Sequence, residues 1–307
     1  MQIYLPIADL PVNIFVILAI GLAVGFISGM FGIGGGFLMT PLLIFLGIQP
    51  SVAVASVTGH IAASSFSGAI SYWRRNALDV PLAFMLLAGG IVGTAVGVFL
   101  FTWLRTVGQL DLTIGISYVL LLGTVGALMV TESLRAIVRS RQGRPVELRR
   151  PGSHTWIHGL PFKVRFKRSH IYVSAIPVWG IGFIIGFVGA VMGIGGGFLL
   201  VPMLIYILRV PTATVIGTSM VLTLVTMASA TVMHAVTNHL VDALLALILM
   251  VGGVTGAQFG ARAGQRISGE RLRLGLGLLV LAVGIRFAFN LVLRPEELYT
   301  IRPLEDG

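Results

Sequence analysis

Two stretches of this chain set a run of glycines against an aromatic residue, and the chemistry they offer belongs to main-chain amides rather than to side chains. Phe31-Gly32-Ile33-Gly34-Gly35-Gly36-Phe37-Leu38 recurs as Met192-Gly193-Ile194-Gly195-Gly196-Gly197-Phe198-Leu199. Consecutive glycines remove side chains and tolerate backbone angles that other residues avoid. Inside apolar sequence they interrupt a helix. A segment restarting near Phe37 or Phe198 presents unpaired N–H groups and the positive end of its dipole, which is an anion site. In hydrocarbon such freed backbone is tolerated only where protein buries it or water reaches it, so the break is expected to line a cavity. Gly34, Gly35, Gly36 and Phe37, with Gly195, Gly196, Gly197 and Phe198, are therefore candidate substrate-binding residues. The competing use of glycine is close helix packing, which Gly89, Gly93 and Gly97 fit by their four-residue spacing. A nucleotide-binding loop fits less well, because no Gly-Lys-Ser/Thr follows either run.

Hydroxyl groups follow each break. Ser56, Thr58 and His60 lie in the first stretch, and Gly217, Thr218 and Ser219 occupy the matching one, so that Thr58 pairs with Ser219. Ser and Thr donate to sulfonate or carboxylate oxygens, although a hydroxyl in a membrane helix equally bonds its own backbone. His60 falls near the middle of its apolar span. An ionisable group there is a candidate for substrate contact or proton coupling, with a neutral histidine bridging two helices as the alternative. Arg286 either attracts substrate or snorkels to the outer interface. His234, His239 and Asp242 cluster near a turn without the spacing of a metal site, and cysteine is absent. No metal or cofactor is expected. Nor is an enzyme, because no nucleophile, base and orienting group fall together.

The elements that must position these groups are membrane helices. The chain has 307 residues, 56% of them hydrophobic and only 10% charged, with a mean hydropathy of +0.97. Soluble domains carry about 25% charged residues. Apolar stretches long enough to span a bilayer fall at about 12–31, 51–73, 80–104, 112–130, 171–192, 210–235, 243–261 and 272–293, and shorter ones at 37–48 and 198–208. The first stretch lacks a preceding Lys or Arg, which argues against a cleaved signal peptide.

Charge placement orients them. Ten of the 21 basic residues lie between Arg135 and Arg168, and Arg74, Arg75, Arg209, Arg262, Arg266, Arg271 and Arg273 sit in further short loops. Basic loops stay in the cytoplasm, which puts both termini in the periplasm of a bacterial inner-membrane protein. The basic connection reads as an orientation signal touching lipid headgroups rather than nucleic acid. Within it, Phe162, Val164 and Phe166 alternate with Lys163, Arg165 and Lys167, which suits a short amphipathic strand.

The glycine match extends through Pro41 with Pro202, Pro50 with Pro211, and Gly89-Gly90, Gly93 and Gly97 with Gly252-Gly253, Gly256 and Gly260. With the charge rule, the two copies run in opposite senses through the membrane. The expected fold class is an all-α polytopic membrane protein of two inverted-topology repeats, each a helix hairpin with a glycine-rich break followed by three transmembrane helices. The first repeat spans residues 1–134, the basic cytoplasmic connection 135–170, and the second repeat with a short periplasmic tail 171–307. Inverted repeats of this kind frame secondary transporters with a site at the midplane.

The paired G-I-G-G-G-F-L segments, each followed by a short proline-ended helix and a Ser/Thr-bearing helix, resemble the TauE/SafE sulfite exporter family over roughly 15–130 and 172–293. By position the family's glycine motifs fall on Gly32, Gly34, Gly35 and Gly36, and on Gly193, Gly195, Gly196 and Gly197. The resemblance implies a secondary exporter or permease of sulfite, sulfoacetate or other small organic anions. The chain departs from the family in its long basic connection and in Val57-Thr58-Gly59-His60, which makes His60 a candidate specificity residue. The expected partners are a small anionic substrate and membrane lipids, with a homodimer open. A carboxylate permease and a non-transporting membrane assembly factor are the alternatives. No Asp or Glu lies inside the eight long stretches, so coupling would rely on His60 or on the substrate itself.

Overall fold

The computed structural model describes residues 2–31, 36–74, 78–141, 161–166, 171–206, 212–264 and 269–293. Gly32, Gly34 and Gly35 lie outside the described residues. Before the first break come a β-hairpin, β1 (Gln2–Leu5) and β2 (Leu10–Asn13), and the helix α1 (Ile14–Phe31). After it come α2 (Gly36–Phe45), α3 (Pro50–Arg74), α4 (Val80–Thr106) and α5 (Leu110–Arg141). The sequence of elements then repeats: β3 (Lys163–Phe166), β4 (Ile171–Ser174), α6 (Ala175–Met192), α7 (Gly197–Tyr206), α8 (Thr212–Met233), α9 (Ala243–Gly264) and α10 (Gly269–Leu293). One π-helical turn, His234–Asn238, extends α8.

This is an all-α polytopic membrane architecture. Among the described residues, five segments are long and apolar enough to cross a bilayer: Val80–Thr106, Leu110–Arg135, Ala175–Met192, Gly217–Asn238 and Ala243–Gly260. α3 misses that standard for a physical reason. From Ser51 to Ala62 every residue is buried, so the helix meets protein rather than lipid and can carry Ser, Thr and His where a lipid-facing helix could not.

Three boundaries differ from the sequence expectation. Residues 171–174 form a strand rather than the start of a span, because β4 pairs with the amphipathic strand β3 in register Lys163 with Ser174 through Phe166 with Ile171. The same hairpin stands before α1, with Gln2 opposite Asn13. α5 also continues to Arg141, past the residue-135 edge assigned to the basic connection.

Packing follows one rule of exchange. α1 lies on α9 and α4 on α6; α3 meets α8 and α5 meets α10; α3 also touches α9, and α8 touches α4. Replacing each helix by its counterpart in the other half maps this set onto itself. Glycines make the two closest pairs. A Cβ at Gly89 or Gly93 would run into the carbonyls of Trp179 or Phe183 on α6, and one at Gly256 or Gly260 into those of Leu22 or Phe26 on α1. The spacing expected to pack helices does so here, bringing backbones together as small residues allow. The long helices start alike too. Asp79 caps α4 by accepting from Leu82 N at 3.4 Å, and Asp242 caps α9 by accepting from Leu244 N and Leu245 N at 3.1 and 3.0 Å.

Candidate functional site

α6 stops at Gly193, which turns left-handed at φ 65°, and Gly195 repeats that turn at φ 64°. These two positions need glycine, since a side chain disfavours positive φ. A helix that stops leaves its last carbonyls without intrahelical donors. Here the Gly189 carbonyl accepts from Gly193 N at 2.9 Å. Side chains from three other helices reach three more: His234 Nε2 is 3.1 Å from the Ala190 carbonyl, Tyr118 Oη donates to Met192 at 2.6 Å, and Thr40 Oγ1 donates to Gly193 at 3.2 Å. His234 is steadied by Asn238 Nδ2, 3.2 Å from its Nδ1, and by the edge of Phe101 at 4.6 Å. Neither Tyr118 nor Thr40 stands out in the sequence, because nothing there reveals which carbonyls the break will free.

α7 restarts at Gly197 and α2 at Gly36, and the two starts meet. The Phe37 and Phe198 rings stack with centroids 4.7 Å apart and planes 12° from parallel. A Cβ at Gly36 would lie 2.5 Å from the Ile194 carbonyl. The two helix starts therefore meet inside the protein, where Phe37 is fully buried and Phe198 is 2% exposed.

Beside the second break, among the described residues, the space expected to be a cavity is filled. Residues Gly193 to Gly197 are all buried. A Cβ at Gly195 would lie 2.5 Å from Ile61 Cγ2, one at Gly193 would lie 3.0 Å from Val54 Cα, and one at Gly196 would strike Ile185. Side chains of α3 and α6 fill the space, so the turn faces protein rather than lipid.

The side chains expected at the site divide into two groups. Ser56 Oγ accepts from Asp242 N at 2.9 Å, holding the start of α9. Thr58 Oγ1 donates to the Ala55 carbonyl at 2.7 Å and sits 2.9 Å from Thr231 Oγ1, tying α3 to α8. Both hydroxyls serve the scaffold. Thr218 Oγ1 and His60 Nδ1, by contrast, are buried without a hydrogen-bond partner among the described residues, as are Ser65 Oγ and Thr223 Oγ1, which nothing in the sequence singles out. Ser219 is 2% exposed on α8. The His60 ring lies over Gly253 of α9, where any Cβ would collide with it. Arg286 sits 4.9 Å above the Phe45 ring at the end of α2, away from the glycine turn.

Comparison with known proteins shows the family of the chain. The profile of the family described as Sulfite exporter TauE/SafE matches residues 17–287. A probable membrane transporter protein of Xylella fastidiosa is 29% identical over 283 residues, covering 89% of this chain and 94% of its own length. The probable membrane transporter protein YjnA of Bacillus subtilis is 26% identical over 273 residues, covering 88% and 98%. Sulfite exporter TauE/SafE family protein 3 of Arabidopsis thaliana shares 34% identity over 77 residues, covering 25% of this chain and 16% of its own. No solved structure matches the chain. A profile match running from α1 into α10 and embracing both glycine runs of the sequence shows that this chain belongs to the TauE/SafE sulfite exporter family, as a multi-pass membrane transporter of that type.

Proposed function

We propose that the protein exports a small sulfur-containing anion, such as sulfite or an organosulfonate, across the bacterial cytoplasmic membrane. The observation that carries this reading is the meeting of two helix starts at Phe37 and Phe198, with the unpartnered hydroxyl of Thr218 on the neighbouring α8. Amides and hydroxyls together donate to an oxyanion without any fixed cation. The site residues are Gly34 to Phe37, Gly195 to Phe198, Thr218 and Ser219. The halves run antiparallel through the bilayer, with both termini in the periplasm and the basic connection in the cytoplasm, a reading that the Lys and Arg positions support.

Export needs no further energy source. An interior-negative potential expels an anion with ~2.3 kcal/mol per charge per 100 mV. His60, whose Nδ1 has no partner, is where a proton would couple. Substrate entry requires Ile61 and Ile185 to withdraw from the glycine turn, so the closed form is one station of a transport cycle. The test is flux in reconstituted vesicles under an imposed potential, with sulfite, sulfoacetate and simple carboxylates as solutes. Sulfite or sulfonate efflux that collapses in Gly196→Leu supports the reading. Vesicles that pass none of these anions refute it, and preference for the carboxylates reassigns the substrate.

A further inference from the structure

We propose that Ser65 and Thr223 form a hydroxyl subsite that holds the carried solute as a monoanion, an inference that rests on the transport reading above. Both side chains are buried, at 0% and 1% exposure, and neither Oγ has a hydrogen-bond partner among the described residues. A Ser or Thr inside a helix ordinarily satisfies its hydroxyl on a carbonyl three or four residues back. This chain follows that habit close by, at Ser64 onto Ile61 and at Thr226 onto Leu222. At Ser65 and Thr223 it does not.

The two hydroxyls lie at one level of the α3–α8 pair, and that of Thr223 reaches the glycine turn. A Cβ at Gly196 would stand 3.8 Å from Thr223 Oγ1, which brings that hydroxyl to the turn that opens α7. Ser65 is one helical turn beyond Ile61, the residue that closes over Gly195. The antiparallel register set by Thr58 against Thr231 and Gly68 against Met220 brings Ser65 to the level of Thr223. An unpaired buried hydroxyl is costly, and a pair of them beside helix-start amides is explained by an acceptor that comes and goes.

The charge of that acceptor follows from the sequence. Seven of the eight long apolar stretches contain no Lys or Arg, and the eighth contains Arg273 and Arg286, of which Arg286 is seated on Phe45. The desolvation penalty of an ion grows with the square of its charge, whereas its attraction to neutral donors grows only in proportion. A centre built of amides and hydroxyls therefore favours one negative charge over two. A sulfonate or hydrogen sulfite fits, and a doubly charged sulfate does not.

Vesicles carrying the full chain test this with methanesulfonate and sulfate, and with the variants Thr223→Val, Ser65→Ala and Thr223→Ser. Loss of one hydrogen bond to a charged ligand raises the half-saturation concentration for methanesulfonate about tenfold or more in Thr223→Val. Thr223→Ser restores it. The unfolding temperature of the empty Thr223→Val protein stays level or rises, since the methyl replaces a group without a partner. Sulfate is carried poorly by every version. Wild-type flux of methanesulfonate with unchanged half-saturation in both Thr223→Val and Ser65→Ala overturns the subsite alone, and so does sulfate carried as readily as methanesulfonate. Should Thr223→Val not fold, Ser65→Ala and Thr223→Ser decide the matter by the same readout. Wild-type vesicles that pass no anion of any kind overturn the transport reading and this inference with it.

Discussion

Replacing Tyr118 by Phe tests how the broken helix is held. Tyr118 Oη donates to the Met192 carbonyl at 2.6 Å, and its ring stacks on Phe287 with centroids 5.3 Å apart and planes 18° from parallel. The substitution removes one oxygen and keeps the stack, so packing contributes little to the difference. What changes is that a buried carbonyl at the end of α6 loses its donor. Leaving such a group unpaired costs about 1–3 kcal/mol. At roughly 2 °C per kcal/mol for a chain of this size, the unfolding temperature falls by about 2–6 °C. The assay is thermal unfolding in detergent, run beside Thr40→Val, which strips the donor from the adjacent Gly193 carbonyl. Because both act on one helix end, the double variant is expected to depart from additivity by about 0.5 kcal/mol or more. A Tyr118→Phe protein that melts with the wild type refutes the idea that side chains from other helices sustain the break.

Gly195→Ala is expected to destabilise by about 1–2 kcal/mol from its positive φ alone, with more from contact with Ile61, whereas Gly180→Ala, which meets nothing within 4 Å, is neutral or stabilising in the same melt. Thr58→Val and Thr231→Val break one shared link and should each lower stability by about 1 kcal/mol without moving the half-saturation concentration; a change in Thr58→Val alone would make Thr58 a substrate ligand. Asp242→Ala removes the acceptor of Ile7, Leu244 and Leu245 amides and is expected to cost about 2 kcal/mol, read by thermal unfolding and by faster proteolysis of the β1–β2 hairpin; unchanged proteolysis would show that the hairpin docks by other means.

The sequence reveals the parts of this site that depend on local backbone. Three glycines in a row announce an interrupted helix wherever they fall, and the structure starts α7 and α2 at the residues the pattern indicates. Glycines four apart announce close packing, and Gly89 and Gly93 lie against α6. Acceptors are a different matter. Tyr118, Thr40 and His234 act on carbonyls of a helix far away in sequence, and only the assembled fold says which carbonyls lack donors. Ser56 and Thr58 illustrate the converse. Their residue type suits an anion, but neighbouring elements claim their hydroxyls first. The N-terminal hairpin was illegible for lack of resemblance, since Leu10-Pro-Val-Asn13 shares little with Ile171-Tyr-Val-Ser174 despite occupying the equivalent place.

The exchange rule that governs helix packing also bears on energetics. Were the two halves identical, exchanging them would leave every helix pair with the same packing as its counterpart. Every unlike pair of occupants breaks that equivalence. His60 presses on Gly253, while Gly90, the equivalent glycine, meets Leu222 and Thr226 instead. A bulky polar ring on one flank and an aliphatic chain on the other make the two counterpart helix pairs unequal in what must move when they part.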